Sequence, residues 1–155
     1  MIKKFKIIFL MFILLCIPVS NISAFENDEH YTYIEESFND GSYIEITIDC
    51  NSTNTRSNIT KSKTATYKGA NGTSLWSVTV KGVFNYNGST SSCTNSSVST
   101  KNYSTSWKLS NASSSKSGAT AIAKVTAKEY HQNGTVLRAI NKTVKLTCDK
   151  NGNLS

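Results

Sequence analysis

Two stretches of strict period-two alternation constrain this chain more than any other feature. In "SLWSVTVKGVFNY" Trp76, Val78, Val80, Gly82, Phe84 and Tyr86 share one parity, with Ser77, Thr79, Lys81 and Asn85 on the other. In "ATAIAKVTAKEYH" Ala119, Ala121, Ala123, Val125 and Ala127 alternate with Lys124, Thr126 and Lys128. Successive side chains of a strand point to opposite faces, so such segments bury one face and wet the other. The aromatic stripe is therefore expected inside the fold, where Trp76, Val78, Val80, Phe84 and Tyr86 join Trp107, Val144 and Leu146 as core. The alanine face calls for bulky partners, and Trp76 and Trp107 are the candidates.

Turn signals divide the rest. Asn-Gly recurs at Asn71-Gly72, Asn87-Gly88, Asn133-Gly134 and Asn151-Gly152, the pair favoured by tight type I′ hairpins. Between turns, "SYIEITID" reads as a half-buried strand with Ile44, Ile46 and Ile48 on one face, and "TATYK" as a short strand. "YSTSWKLS" supplies the anchors Tyr103, Trp107 and Leu109, and "NASSSKSG" reads as a loop. Residues 119–148 form a hairpin through Asn133-Gly134, and Gly82 marks a bulge or a close backbone approach. The body holds no convincing helix, so the expected fold is all-β: an antiparallel β-sandwich, immunoglobulin-like in a loose sense, or a small barrel.

The start of the chain, basic at Lys3, Lys4 and Lys6 and then apolar from Ile7 to Val19, has the form of a secretory signal peptide ending near Ala24. The expected organisation is a signal at 1–24, a mobile acidic segment with one strand at 25–49, a linker at 50–63 and the β-domain at 64–155. Residues 25–40 are read as mobile or weakly helical. Charge follows the same division. The segment 25–49 carries eight acids and no Lys or Arg, whereas 50–155 carries fourteen Lys or Arg against Glu129 and Asp149 alone. A basic exported body is attracted to anionic polymers.

Past the signal, Cys50, Cys93 and Cys148 remain. An odd count in an exported chain implies one disulfide and one thiol that is free or shared between chains. Cys93 and Cys148 adjoin the strands and are the expected pair, which leaves Cys50 over. The order Cys93, Trp107, Cys148 resembles the series in immunoglobulin domains, where the tryptophan packs on the bridge.

The chemistry of catalysis is missing from the sequence. His30 and His131 are the two histidines, no serine sits in a nucleophile-elbow pattern, and paired acids are lacking in the body. Zinc spacings and calcium-loop geometry are absent too. The reading is a non-enzymatic protein with no cofactor, no metal and no specific nucleic-acid partner.

The segment "LWSVTVKGVFNYNG", the Ser106-Trp107 pair, the "SSSKSG" loop and the ending "VKLTCDKNGNLS" resemble a group of small exported proteins of low-GC Gram-positive bacteria with no assigned activity. The likeness covers residues 64–155 and implies a secreted or wall-associated location. The function expected is a binding module for a cell-surface polymer, glycan or surface protein, acting through loops or the Thr/Lys face. The alternative is a bacteriocin-like or pore-forming protein. Membrane contact belongs to it alone, and 74–86 and 119–148 reach the roughly ten alternating residues of a transmembrane strand.

Overall fold

The structure, a computed structural model, describes residues 30–49 and 58–155. The signal-like start, residues 25–29, Cys50 and the first part of the expected linker lie outside the described residues. Eight strands follow in order: β1 (His30–Ser37), β2 (Tyr43–Asp49), β3 (Asn58–Lys68), β4 (Ser74–Tyr86), β5 (Ser91–Asn102), β6 (Trp107–Ser117), β7 (Thr120–Tyr130) and β8 (Val136–Thr147). They form a five-stranded sheet β1-β2-β3-β4-β5 and a three-stranded sheet β6-β7-β8, each antiparallel between neighbours in sequence. This is the sandwich, with two separate sheets rather than a closed barrel.

The sheets pack with β4 against β7 and β8, β5 against β6 and β7, and β3 against β8. The expected core is where the alternation puts it: Trp76, Val78, Val80, Phe84, Trp107, Val144 and Leu146 are buried. Tyr86 is only partly buried, at the edge of this core. Its ring lies against Gly152, where a Cβ would stand 2.7 Å from it. The five-stranded sheet supplies the large residues Ile44, Ile46, Tyr67, Trp76 and Phe84, and the three-stranded sheet answers with Ala121, Ala123 and Ala127. At Gly82 the close approach is real. A Cβ there would sit 2.4 Å from the Phe84 ring and 2.9 Å from Ala121, so Phe84 is a bulky partner of the alanine face. The bulge itself falls next door, between Val83 and Phe84.

Several sequence expectations need correction. The acidic segment holds two strands rather than one, because residues 30–37 form β1 instead of a mobile or helical stretch. Residues 58–63 belong to β3 and not to a linker. The Ser-rich stretch before Tyr103 is β5, and "NASSSKSG" lies largely in β6. These strands lack apolar alternation because they meet each other edge to edge through hydroxyl and amine donors. Ser114 Oγ donates to Ser96 O at 3.2 Å and Lys116 Nζ to Thr94 O at 2.6 Å, which satisfies carbonyls that a bare sheet edge would leave open.

The turns also differ from the type I′ expectation. Residues 38–42, 69–73, 131–135 and 149–153 share one construction, in which the fourth residue is a glycine with φ of 78, 80, 85 and 91° in turn. Its N–H donates to the carbonyl of the first residue, and the first N–H donates to the fifth carbonyl. Asp40, Asn71 and Asn133, just before their glycines, accept from the N–H two residues on. Among the described non-glycine residues Asn111 alone has a positive φ. These are therefore type I turns closed by a left-handed glycine rather than two-residue I′ turns.

Candidate functional site

The outward face of the three-stranded sheet carries four of the body's basic residues. Cross-strand pairing fixes the rows: Lys108 beside Lys128 and Ala139, Ser110 beside Thr126 and Asn141, Ser113 beside Lys124 and Thr143, Ser115 beside Ile122 and Lys145. Residues paired directly across a sheet share a face, so Lys108, Lys124, Lys128 and Lys145 stand on one surface among hydroxyls and an amide. Glu129 is the one carboxylate in β6–β8. It sits on the opposite parity, 3.6 Å from Arg138 Nε. None of the four lysines has a carboxylate partner among the described residues.

A break in β6 shapes this surface. Register is lost between Ser110 and Ser113, and Asn111 takes φ 54°, a conformation that asparagine tolerates better than most residues. Beside it runs a shallow groove of about 340 Å³ across all three strands, with Asn111, Ser113, Lys124, Thr126, Asn141 and Thr143 in its lining. Thr126 Oγ1 donates to Asn141 Oδ1 at 2.8 Å and so fixes the amide orientation. Lys108 Nζ lies 4.9 Å from the centre of the Tyr130 ring. The expected Thr/Lys face is thus present. Lys108 and Asn111 join this face from outside the two alternating stretches; stepping in twos from buried Trp107 places Lys108 outward.

The outward face of the five-stranded sheet differs in chemistry. Thr32, Thr47, Thr64, Thr79 and Ser99 are paired in one row across all five strands, with the Thr64 and Thr79 hydroxyls 2.8 Å apart. A groove of about 430 Å³ runs over Thr64, Ser77, Thr79, Ser99 and Lys101 to Tyr103. Lys101 Nζ stands 4.9 Å from the centre of the Tyr103 ring. Carboxylates share this face with lysines: Glu45 and Asp49 lie on the same parity as Thr47, and Lys68 pairs with Glu45 at 2.7 Å.

Between the sheets a polar clasp joins β8 to the acidic hairpin. Arg138 donates to Asp40 Oδ2 and to the Tyr67 hydroxyl, Ser42 Oγ donates to Asp40 Oδ1 at 2.5 Å, and the Ser42 and Tyr67 hydroxyls are 2.7 Å apart. The Ser42 hydrogen bond, and then Arg138, hold the Asp40 carboxyl well below the usual carboxylate range. Burial pushes the Tyr67 phenol up, and the Asp40 hydrogen bond raises Arg138. A second ion pair, Lys142 with Glu35, repeats the pattern. Stepping back in twos from Val144 puts Lys142 and Arg138 on the buried parity, so the sequence itself marks these two cations as inward.

The remaining candidates are dispersed. Cys93 and Cys148 are both buried, and they are separate thiols in this structure. Trp107 packs on Tyr67 and Trp76, with ring centres 5.1 and 6.0 Å away. It starts β6, whereas Cys93 meets the chain just past the other end of that strand; the immunoglobulin pattern of tryptophan on bridge is not followed. His131 lies at the β7–β8 turn, the far end of β7 from the Cys93 contact, so the two form no relay. No group of three His, Cys, Asp or Glu side chains suited to a metal occurs among the described residues. No family model, curated protein or solved structure matches this chain.

Proposed function

We propose that this protein is an exported, non-enzymatic binding module that holds an anionic cell-surface polymer on the outward face of its three-stranded sheet. The observation that carries the reading is the set Lys108, Lys124, Lys128 and Lys145, on one face with no carboxylate among them and with hydroxyls and an amide between. Phosphate or carboxylate groups of a polymer take ammonium and hydroxyl donors without a deep pocket, because the attraction is summed over many weak contacts. The shallow groove at Asn111 gives such a chain a track to follow. The signal-like start and the resemblance to small exported Gram-positive proteins support a location outside the cell, secreted or wall-associated.

The test is co-sedimentation of the purified protein with Gram-positive cell walls before and after removal of their teichoic acids, over a salt series, beside dye-loaded liposomes. Retention that needs the teichoic acids and weakens with salt is the expected result. Salt-independent retention on stripped walls would move the site to a neutral glycan, and dye release would favour the pore-forming alternative; either result overturns the proposal.

A further inference from the structure

Cys93 and Cys148 enter the core from different sheets yet grip one corner. Cys93 N donates to Gly118 O at 2.8 Å, and Cys148 N donates to Ala119 O at 3.1 Å. The two cysteines therefore hold consecutive residues of the β6–β7 connection. Both side chains are turned inward, at 5% and 0% exposure. Burial raises the Cys148 thiol, while Ser91, the residue two before Cys93 on β5, pulls it back down.

We propose that Cys93 and Cys148 join in an intramolecular disulfide that fixes the end of β8 to β5 across the β6–β7 corner. In the present structure the thiols contact backbone carbonyls close in sequence, Cys93 Sγ to Asn95 O at 3.1 Å and Cys148 Sγ to Asp149 O at 3.5 Å. Such sulfur contacts are weak, so turning the side chains toward each other sacrifices little. The bridge has a mechanical logic. Arg138 pins one end of β8 to the five-stranded sheet through Asp40 and Tyr67, and the disulfide pins the other.

The chemistry balances with a small disulfide as oxidant. One cysteine thiolate attacks it to give a mixed disulfide and one released thiol. The second cysteine thiolate then displaces the second small thiol, so two S–H bonds are lost and two are made on the reduced oxidant. Burial pushes both protein thiols up. Exchange in the folded state is therefore slow, and closure belongs to folding.

The experiment refolds the full chain carrying Cys16→Ser and Cys50→Ser with oxidised and reduced glutathione, then quenches in acid for intact mass and thiol counting. The expected product has lost two hydrogen masses, carries no glutathione, is monomeric and leaves no free thiol. Its urea midpoint falls on reduction. Two persisting thiols, or a glutathione adduct stable at one cysteine, would overturn the bridge. Peptide mapping of the unsubstituted chain is the second measurement: a Cys93–Cys148 linked peptide is expected, and linkage of either residue to Cys50 rejects the assignment.

Discussion

The two sheets divide the work in opposite ways. The five-stranded sheet brings bulk to the interface with Ile44, Ile46, Tyr67, Trp76 and Phe84, and carries the carboxylates Glu45 and Asp49 on its outward face, the first paired with Lys68. The three-stranded sheet brings smaller side chains to the interface, Ala121, Ala123, Val125, Ala127 and Val144 beside Leu146, and leaves its outward lysines without carboxylates. The lesson is that one sheet is built to be covered and the other to cover it and meet something else. Trp107 is the exception, the one large aromatic that the smaller sheet buries, wedged against Tyr67 and Trp76.

Trp107 is therefore the place to break the comparison hardest. Trp107→Ala removes the smaller sheet's main anchor and is expected to cost about 3–5 kcal/mol, the range for a buried large aromatic, read as a drop in the urea midpoint. Trp107→Phe should cost much less. It keeps a ring and deletes an indole N–H that is buried without a hydrogen-bond partner. If Phe were as damaging as Ala, the ring packing would not be what holds the sheets.

The outward faces give the next contrast. Each of Lys124→Gln and Lys145→Gln is expected to weaken wall-polymer binding roughly fivefold, from about 1 kcal/mol per basic residue at an anionic surface. Lys81→Gln and Lys101→Gln on the other sheet should leave binding unchanged. Equal effects on both faces would dissolve the distinction into net charge alone.

The seam between the sheets has its own pH signature. The folded-state pKa of Asp40 is depressed below the ordinary value of 3.8, so its stabilising contribution is fully present above about pH 4 and is lost as pH falls toward the folded value. Asp40→Asn should lower stability at pH 7, and its deficit against the parent should shrink progressively below pH 4, read from urea midpoints over a pH series. A deficit that stays constant to low pH would mean that the carboxylate charge adds nothing to the clasp.

How much of this was legible in the sequence depended on whether a segment advertised one face to the core. The strands at 74–86 and in the 119–148 hairpin did, because alternation of Val, Ala and Trp with Thr and Lys is imposed by burial on one side. β5 and β6 did not. They meet at an edge through Ser96, Ser114 and Lys116, where the requirement is a donor rather than an apolar side chain, and serine-rich strands of this kind read as loops. β1 was hidden for a related reason, since as an edge strand it leaves Tyr31 and Ile34 largely exposed and its acids looked like a solvated tail. The turns were located correctly but not typed: Asn-Gly marks a left-handed glycine whether the preceding Asn adopts a positive φ or only caps the turn with its side chain. The Thr/Lys face followed from parity, whereas the Arg138 clasp needed the packing of β8 against β3 and the 38–42 turn, which no single segment carries.

The smallest expected effect sharpens the contrast from the other side. Lys68 and Glu45 are paired at 2.7 Å on the outward face of the five-stranded sheet, with about a fifth to a quarter of each side chain exposed. A pair on an outward face keeps some contact with water and loses side-chain entropy on forming, so Lys68→Gln should change stability by about 1 kcal/mol or less. It leaves Glu45 without a counter-charge on a face that is proposed to take no part in polymer binding, so retention on walls should not move. A measurable loss of retention would show that uncovering a single carboxylate there repels the polymer. The five-stranded face would then lie close enough to the polymer to count as part of the binding surface.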